Sequence, residues 1–114
     1  MKNFNKIILS LGSNIGDKKS NLETAINQIN KFSTIKKISS IYESDPILLK
    51  DQDNFFNLVL EIEYKKSAIE LLETTKDVER RMGRKKTVKY GPRIIDIDIA
   101  VSYTHLTLPT TTPV

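Results

Sequence analysis

The sequence predicts an α+β domain of ferredoxin-like order, β-α-β-β-α-β, with a four-stranded antiparallel sheet and two helices on one face. Three observations lead there. Phe56, Leu58, Leu60, Ile62 and Tyr64 alternate with Asn57, Val59, Glu61 and Glu63, which is the period of a strand with one apolar face. Ile95, Ile97 and Ile99 alternate with Asp96 and Asp98 in the same way. Two other segments carry apolar residues at helical spacing behind residues suited to capping.

In chain order, Lys6 to Leu11 is a short apolar run that stops at Gly12-Ser13-Asn14, so it reads as a central strand ending in a turn. A helix over 20–31 follows. Leu22, Ala25, Ile26 and Ile29 form its stripe, and either Asp17 or Ser20 can cap it, Ser20 and Glu23 having capping-box spacing. The strand-loop-helix context around Gly12 and Gly16 invites a phosphate-loop reading, but three residues separate the glycines and Lys19, not Ser or Thr, follows Lys18. Ile35 to Ser44 is the second expected strand, broken by Ser44-Asp45-Pro46 into a loop that runs to about Asn54. After the strand from Phe56, Ser67 and Glu70 form a capping box for a helix over 67–82, with a stripe of Ala68, Leu71, Leu72, Thr75 and Met82 and with Gly83 at its end. The last strand begins at Ile94. If the helices cover the face bearing Phe56, Leu58, Ile97 and Ile99, then Phe55, Asn57, Asp96 and Asp98 share the other.

Composition bounds the function. At 114 residues the chain is one domain able to bury its own core. It has no cysteine, so disulfide scaffolds and thiolate metal sites are excluded and a reducing cytoplasm is expected. No apolar run approaches the length of a membrane span, and no membrane partner is expected. The chain carries 18 basic and 14 acidic residues, a net +4, yet residues 76–93 alone carry +6 and the remainder −2. The basic character is therefore local, contributed by Lys76, Arg80, Arg81, Arg84, Lys85, Lys86, Lys89 and Arg93.

Two aspartates at i and i+2 on a strand project side by side, an arrangement that like-charge repulsion disfavours unless a cation lies between them. Magnesium is usually held by one or two carboxylates together with substrate phosphates, so Asp96 and Asp98 are a candidate hard-cation site. The bland alternative is a solvated acidic strand face. The basic, Gly- and Pro-bearing stretch beside the pair tips the balance, because metal-bridged phosphates need such cations. A helix dipole explains Arg80 and Arg81 but not Arg84 to Arg93.

These residues carry a resemblance. Gly12-Ser13-Asn14, Ser39 to Pro46, Asp51 to Asn57 and above all Gly91-Pro92-Arg93-Ile94-Ile95-Asp96-Ile97-Asp98 are similar to 6-hydroxymethyl-7,8-dihydropterin pyrophosphokinases of folate biosynthesis, in order from about residue 6 to residue 101. The resemblance implies transfer of pyrophosphate from ATP to the pterin hydroxymethyl group, releasing AMP. It implies that Asp96 and Asp98 hold two Mg²⁺ ions and act with Arg84 and Arg93 in catalysis. Arg84, Lys86 and Arg93 would contact phosphates, with Glu79 and Ile99 near the nucleotide. Ser44, Pro46, Ile47, Phe55 and Asn57 would line the pterin pocket, with Tyr90 as an aromatic lid. Partners are then ATP and the pterin, without nucleic acid, and a monomer is expected.

The resemblance departs after Val101, where such enzymes continue for several dozen residues. Residues 102–114 are instead Thr-rich, five of thirteen, and are expected to be foreign to the family, leaving residues 1–101 as an incomplete, C-terminally truncated domain and His105 as an incidental residue. Two other classes use the same fold. RNA binding would want aromatics on the first strand, which has none, and would set Asp96 and Asp98 against a phosphate backbone. A non-catalytic small-molecule module would not need the aspartate pair beside an arginine-rich segment.

Overall fold

In the computed structural model, which describes residues 2–46, 51–83 and 92–107, the chain is one antiparallel sheet carrying two helices on one side. The strands are β1 (Lys2–Ser13), β2 (Thr34–Ile38), β3 (Tyr42–Ser44), β4 (Phe55–Tyr64) and β5 (Asp96–Thr107). The helices are α1 (Lys18–Ile29) and α2 (Ala68–Arg81). The sheet runs β2-β4-β1-β5, with β3 pairing to β4 beyond β2 along the same edge. Central β1 and β4 pair from Asn5↔Tyr64 to Ser13↔Phe56. This is the ferredoxin-like strand order.

The sheet has five strands rather than four because the segment expected as one strand over Ile35–Ser44 is two. Lys36 is an extra residue in the ladder, since Ile35 faces Ile62 while Lys37 faces Glu61. Beyond Ile38, the Ser39 hydroxyl accepts from the Val59 N–H at 2.8 Å and the Ser39 N–H donates to the Val59 carbonyl at 2.9 Å. A side-chain oxygen thus replaces the next ladder acceptor, and regular pairing resumes only at Tyr42. The outer strands also extend past their expected limits. Backbone pairing of β1 with β5 continues from Gly12↔Asp96 to Lys2↔Thr107, with a bulge at Ala100 between the Ile8↔Val101 and Leu9↔Ile99 pairs.

The core lies between sheet and helices. Ile7, Leu9 and Leu11 of β1, Leu58, Leu60, Ile62 and Tyr64 of β4 and Ile97 of β5 face Leu22, Ala25 and Ile29 of α1 and Leu71 and Val78 of α2. Each of the larger side chains contributes about 1.5–3 kcal/mol by leaving water. Asp17 caps α1, its side chain accepting from the Ser20 N–H, so the Ser20–Glu23 capping box is not the one used. Ser67 caps α2 as expected, accepting from the Glu70 N–H, and Gly83 closes its C-terminal end at φ +88°. The stripe of α2 differs from expectation. Leu71, Thr75, Val78 and Glu79 are buried, whereas Ala68, on the same stripe but at the helix's first residue, and Leu72, at the stripe's margin, are exposed. No helix among the described residues is long and apolar enough to cross a membrane.

Glu79 is the unusual member of that stripe, a carboxylate 1 % exposed. Its Oε2 accepts from the Ile97 N–H at 2.8 Å, and its Oε1 lies 3.3 Å from the Lys76 ammonium. The Ile97 N–H points away from β1, where no further strand pairs with β5 among the described residues, so the carboxylate takes the place of a ladder partner. Glu79→Leu should cost about 1–3 kcal/mol in urea unfolding by leaving that N–H unsatisfied, and Glu79→Gln, which keeps an acceptor, distinctly less. Equal losses in the two variants would show that the hydrogen bond is not what Glu79 supplies.

Candidate functional site

The face of the sheet turned away from the helices carries a groove of about 180 Å³ lined by Ser10, Gly12, Ser44, Asp45, Phe55, Asn57, Arg93, Asp96 and Asp98. Strand pleating brings these together. On β1 the small residues Ser10 and Gly12 are out of phase with buried Leu9 and Leu11 and form the floor. Asn57 lies opposite Gly12 on one side and Asp96 lies opposite it on the other, while Ser10 lies opposite Asp98.

The two ends of the groove differ in chemistry. At the β4 end, the Asn57 amide nitrogen donates to the Ser44 hydroxyl at 2.9 Å and to the Tyr42 carbonyl at 3.2 Å. That fixes the amide plane and leaves its oxygen beside Gly12, close to the Phe55 ring. A flat ligand with N–H donors on one edge can stack on an aromatic and donate to such an amide. At the β5 end, Arg93 donates to Asp96 at 3.2 Å, both side chains being largely covered. Partial desolvation pushes the Asp98 carboxyl above its ordinary value, and the charge and hydrogen bond of Asp96 add to the rise, with a smaller contribution from Glu79; Lys76 acts the other way.

The donor set fits a hard cation. The charge of Asp96 adds to the cost of ionising Asp98, a cost that a divalent ion offsets, and Mg²⁺ completes its shell with water and phosphate oxygens rather than with further protein ligands. Among the described residues no cluster of three or more His, Cys, Asp or Glu side chains offers a self-sufficient metal cage. Asp96 and Asp98 would therefore hold such an ion jointly with its ligand.

Of the residues expected at the site, Ser44, Phe55, Asn57, Arg93, Asp96 and Asp98 are brought together in the groove. Pro46 is buried and is not part of its lining. Glu79 and Ile99, expected beside the nucleotide, are on the helix side, the first bound to the Ile97 N–H and the second packed against the core. Ile47, Arg84, Lys86 and Tyr90 lie outside the described residues. Ser10, Gly12 and Asp45 also line the groove and were not among the expected site residues. The phase of β1 could have found the first two, since Ser10 and Gly12 stand two apart on the strand face opposite Leu9 and Leu11.

A family model described as 7,8-dihydro-6-hydroxymethylpterin-pyrophosphokinase matches residues 8–113. The chain belongs to this pyrophosphokinase family. It is 42 % identical over 93 residues to the 2-amino-4-hydroxy-6-hydroxymethyldihydropteridine pyrophosphokinase of Bacillus subtilis, covering 80 % of this chain and 56 % of that protein. Against the Aquifex aeolicus protein of the same name it is 45 % identical over 93 residues, covering 82 % of this chain and 58 % of the relative. The folic acid synthesis protein fol1 of Schizosaccharomyces pombe matches at 45 % over 100 residues, 85 % of this chain and 14 % of the larger protein. The chain thus spans somewhat more than half the length of the two bacterial pyrophosphokinases and a small part of the fission-yeast protein.

The electrostatics of the pair give a testable consequence for stability. A carboxyl raised in the folded state is held more tightly when protonated, so ionisation of Asp98 subtracts from stability as the pH rises from the ordinary carboxylate range through the raised value, and the deficit persists above it. Asp98→Asn is expected to raise the melting temperature of the ligand-free protein by a few degrees at pH 7. The gain should fade as the pH drops towards the ordinary carboxylate range. A lower melting temperature for Asp98→Asn at pH 7 would show that the ionised side chain is net stabilising.

Proposed function

We propose that the chain binds ATP and 6-hydroxymethyl-7,8-dihydropterin across this groove and transfers pyrophosphate between them. The observation that carries the reading is the row of Asn57, Gly12 and Asp96 across three adjacent strands, with Arg93 bound to Asp96. It sets a group suited to reading a flat heterocycle on one side of an open floor and groups suited to phosphates on the other.

Asn57 and Phe55 orient the pterin, the first by accepting from its amide-like edge and the second by stacking. The hydroxymethyl oxygen is then directed towards the β5 side. Asp96 and Asp98 would hold Mg²⁺, which when bound neutralises triphosphate charge and favours departure of the AMP oxygen. The Arg93 guanidinium, beside Asp96, can donate two parallel hydrogen bonds to phosphate oxygens. The hydroxymethyl oxygen bonds to the β-phosphorus, the bond from that phosphorus to the α–β bridging oxygen breaks, AMP departs with that oxygen, and the hydroxyl proton passes to solvent. Such a transfer relies on alignment and charge neutralisation more than on a strong base. Arg84, Lys86 and Tyr90 are proposed to act with these groups as the resemblance implies, the first two on phosphates and the last over the pterin.

Asp96→Ala and Asp98→Ala should each weaken Mg²⁺-dependent binding of ATP at least tenfold in titration calorimetry while leaving the circular dichroism spectrum unchanged. Wild-type affinity in both variants would remove the aspartates from the nucleotide site and with them this reading.

A further inference from the structure

Gly12 occupies the one position in the groove where the structure leaves no side chain between the two halves of the site. It is in register with Asn57 of β4 and with Asp96 of β5. Adjoining strands lie about 4.8 Å apart, so the backbones of Asn57 and Asp96 stand roughly 10 Å apart across the glycine. The backbone does not demand glycine there. Among the described residues the positive-φ glycines are Gly16 and Gly83, and Gly12 is ordinary strand.

Space is tight there. A Cβ built on Gly12 would come within 3.2 Å of Asn57 Oδ1 and 3.3 Å of Phe55 Cδ1, both closer than ordinary van der Waals contact, with Phe55 Cε1 next at 3.9 Å. The crowding falls on the two residues that face a flat ring. Asn57 cannot yield freely, because its nitrogen is tied to Ser44 and Tyr42.

We infer that Gly12 is the specificity-determining position of the acceptor half of the site, the gap over which the heterocycle's hydroxymethyl arm passes from the Asn57 amide towards the aspartates. The inference rests on the pterin reading of the groove proposed above. It assigns Gly12 a selective role: a side chain here displaces Phe55 and Asn57 and obstructs the acceptor, while the carboxylates and Arg93 retain their relation to the nucleotide.

The test compares the chain with its Gly12→Ala and Gly12→Val variants, each titrated separately with 6-hydroxymethylpterin and with a nonhydrolysable ATP analogue plus Mg²⁺. Gly12→Ala is expected to weaken pterin binding at least tenfold and Gly12→Val to abolish it, with nucleotide affinity within about twofold of the parent. In ligand-free Gly12→Ala the Asn57 side-chain amide and Phe55 ring resonances should shift, a readout independent of either ligand. Unchanged pterin affinity, or an equal loss of both ligands, would overturn the inference. If the unsubstituted chain binds nucleotide but no pterin, the reading of the groove fails and this inference with it, a failure distinguished by its appearance before any substitution is made.

Discussion

The site depends on one buried amide. Asn14, 2 % exposed at the end of β1, takes part in four hydrogen bonds. Its Oδ1 accepts from the Arg93 N–H at 2.7 Å and its own N–H donates to the Arg93 carbonyl at 3.0 Å. Its Nδ2 donates to Gln52 Oε1 at 2.9 Å and to the Asp53 carbonyl at 3.2 Å. Three loops are thereby fixed to one another. Asn21 secures the same turn from below by donating to Ser13 Oγ and the Ile15 carbonyl, and Lys18 reaches the Asn54 carbonyl while lying over the Phe56 ring. A fully satisfied buried polar network specifies geometry more sharply than apolar packing does. Here it sets where Phe55 leaves one loop and where Arg93 meets Asp96.

Against that rigid frame the aspartate pair is a local conflict. The isoleucines of β5 alternate inward to the core, which forces the intervening acids onto the same outer face, where burial and the charge of Asp96 make ionisation of Asp98 costlier. Arg93 offsets part of the repulsion through Asp96, and Lys76 part of it from the α2 side. A sequence selected only for stability would place one acid there rather than two. On the proposed reading, a phosphate-bound divalent ion held by the pair would offset that repulsion.

Much of this was legible in the chain. Period-two alternation in Phe56–Tyr64 and in the isoleucine-aspartate strand gave both the sheet and the face on which Phe55, Asn57, Asp96 and Asp98 gather. What escaped was of another kind. The division into β2 and β3 turns on an extra residue at Lys36 and on a hydroxyl at Ser39, neither of which disturbs hydrophobic periodicity. Glu79 as a buried acceptor and Asn14 as a loop clamp are made by partners 18 and 79 residues away, and residue spacing is blind to contacts of that range. The same holds for Gly12, whose crowding comes from a different strand.

We propose that ligands bind on this outer face, from β1 and β4 to the start of β5, rather than on any other surface of the described residues. This is tested most directly by amide NMR of the isotopically labelled chain titrated with Mg²⁺ and a nonhydrolysable ATP analogue, then with 6-hydroxymethylpterin. Nucleotide should perturb Arg93, Asp96 and Asp98 first, and pterin should perturb Phe55 and Asn57, with Gly12 and Asn14 responding to both and the exposed side of α1 and α2 to neither. Perturbations centred on the helices, or on the Lys6–Glu61 ion pair at the far end of the sheet, would show that the ligands bind elsewhere.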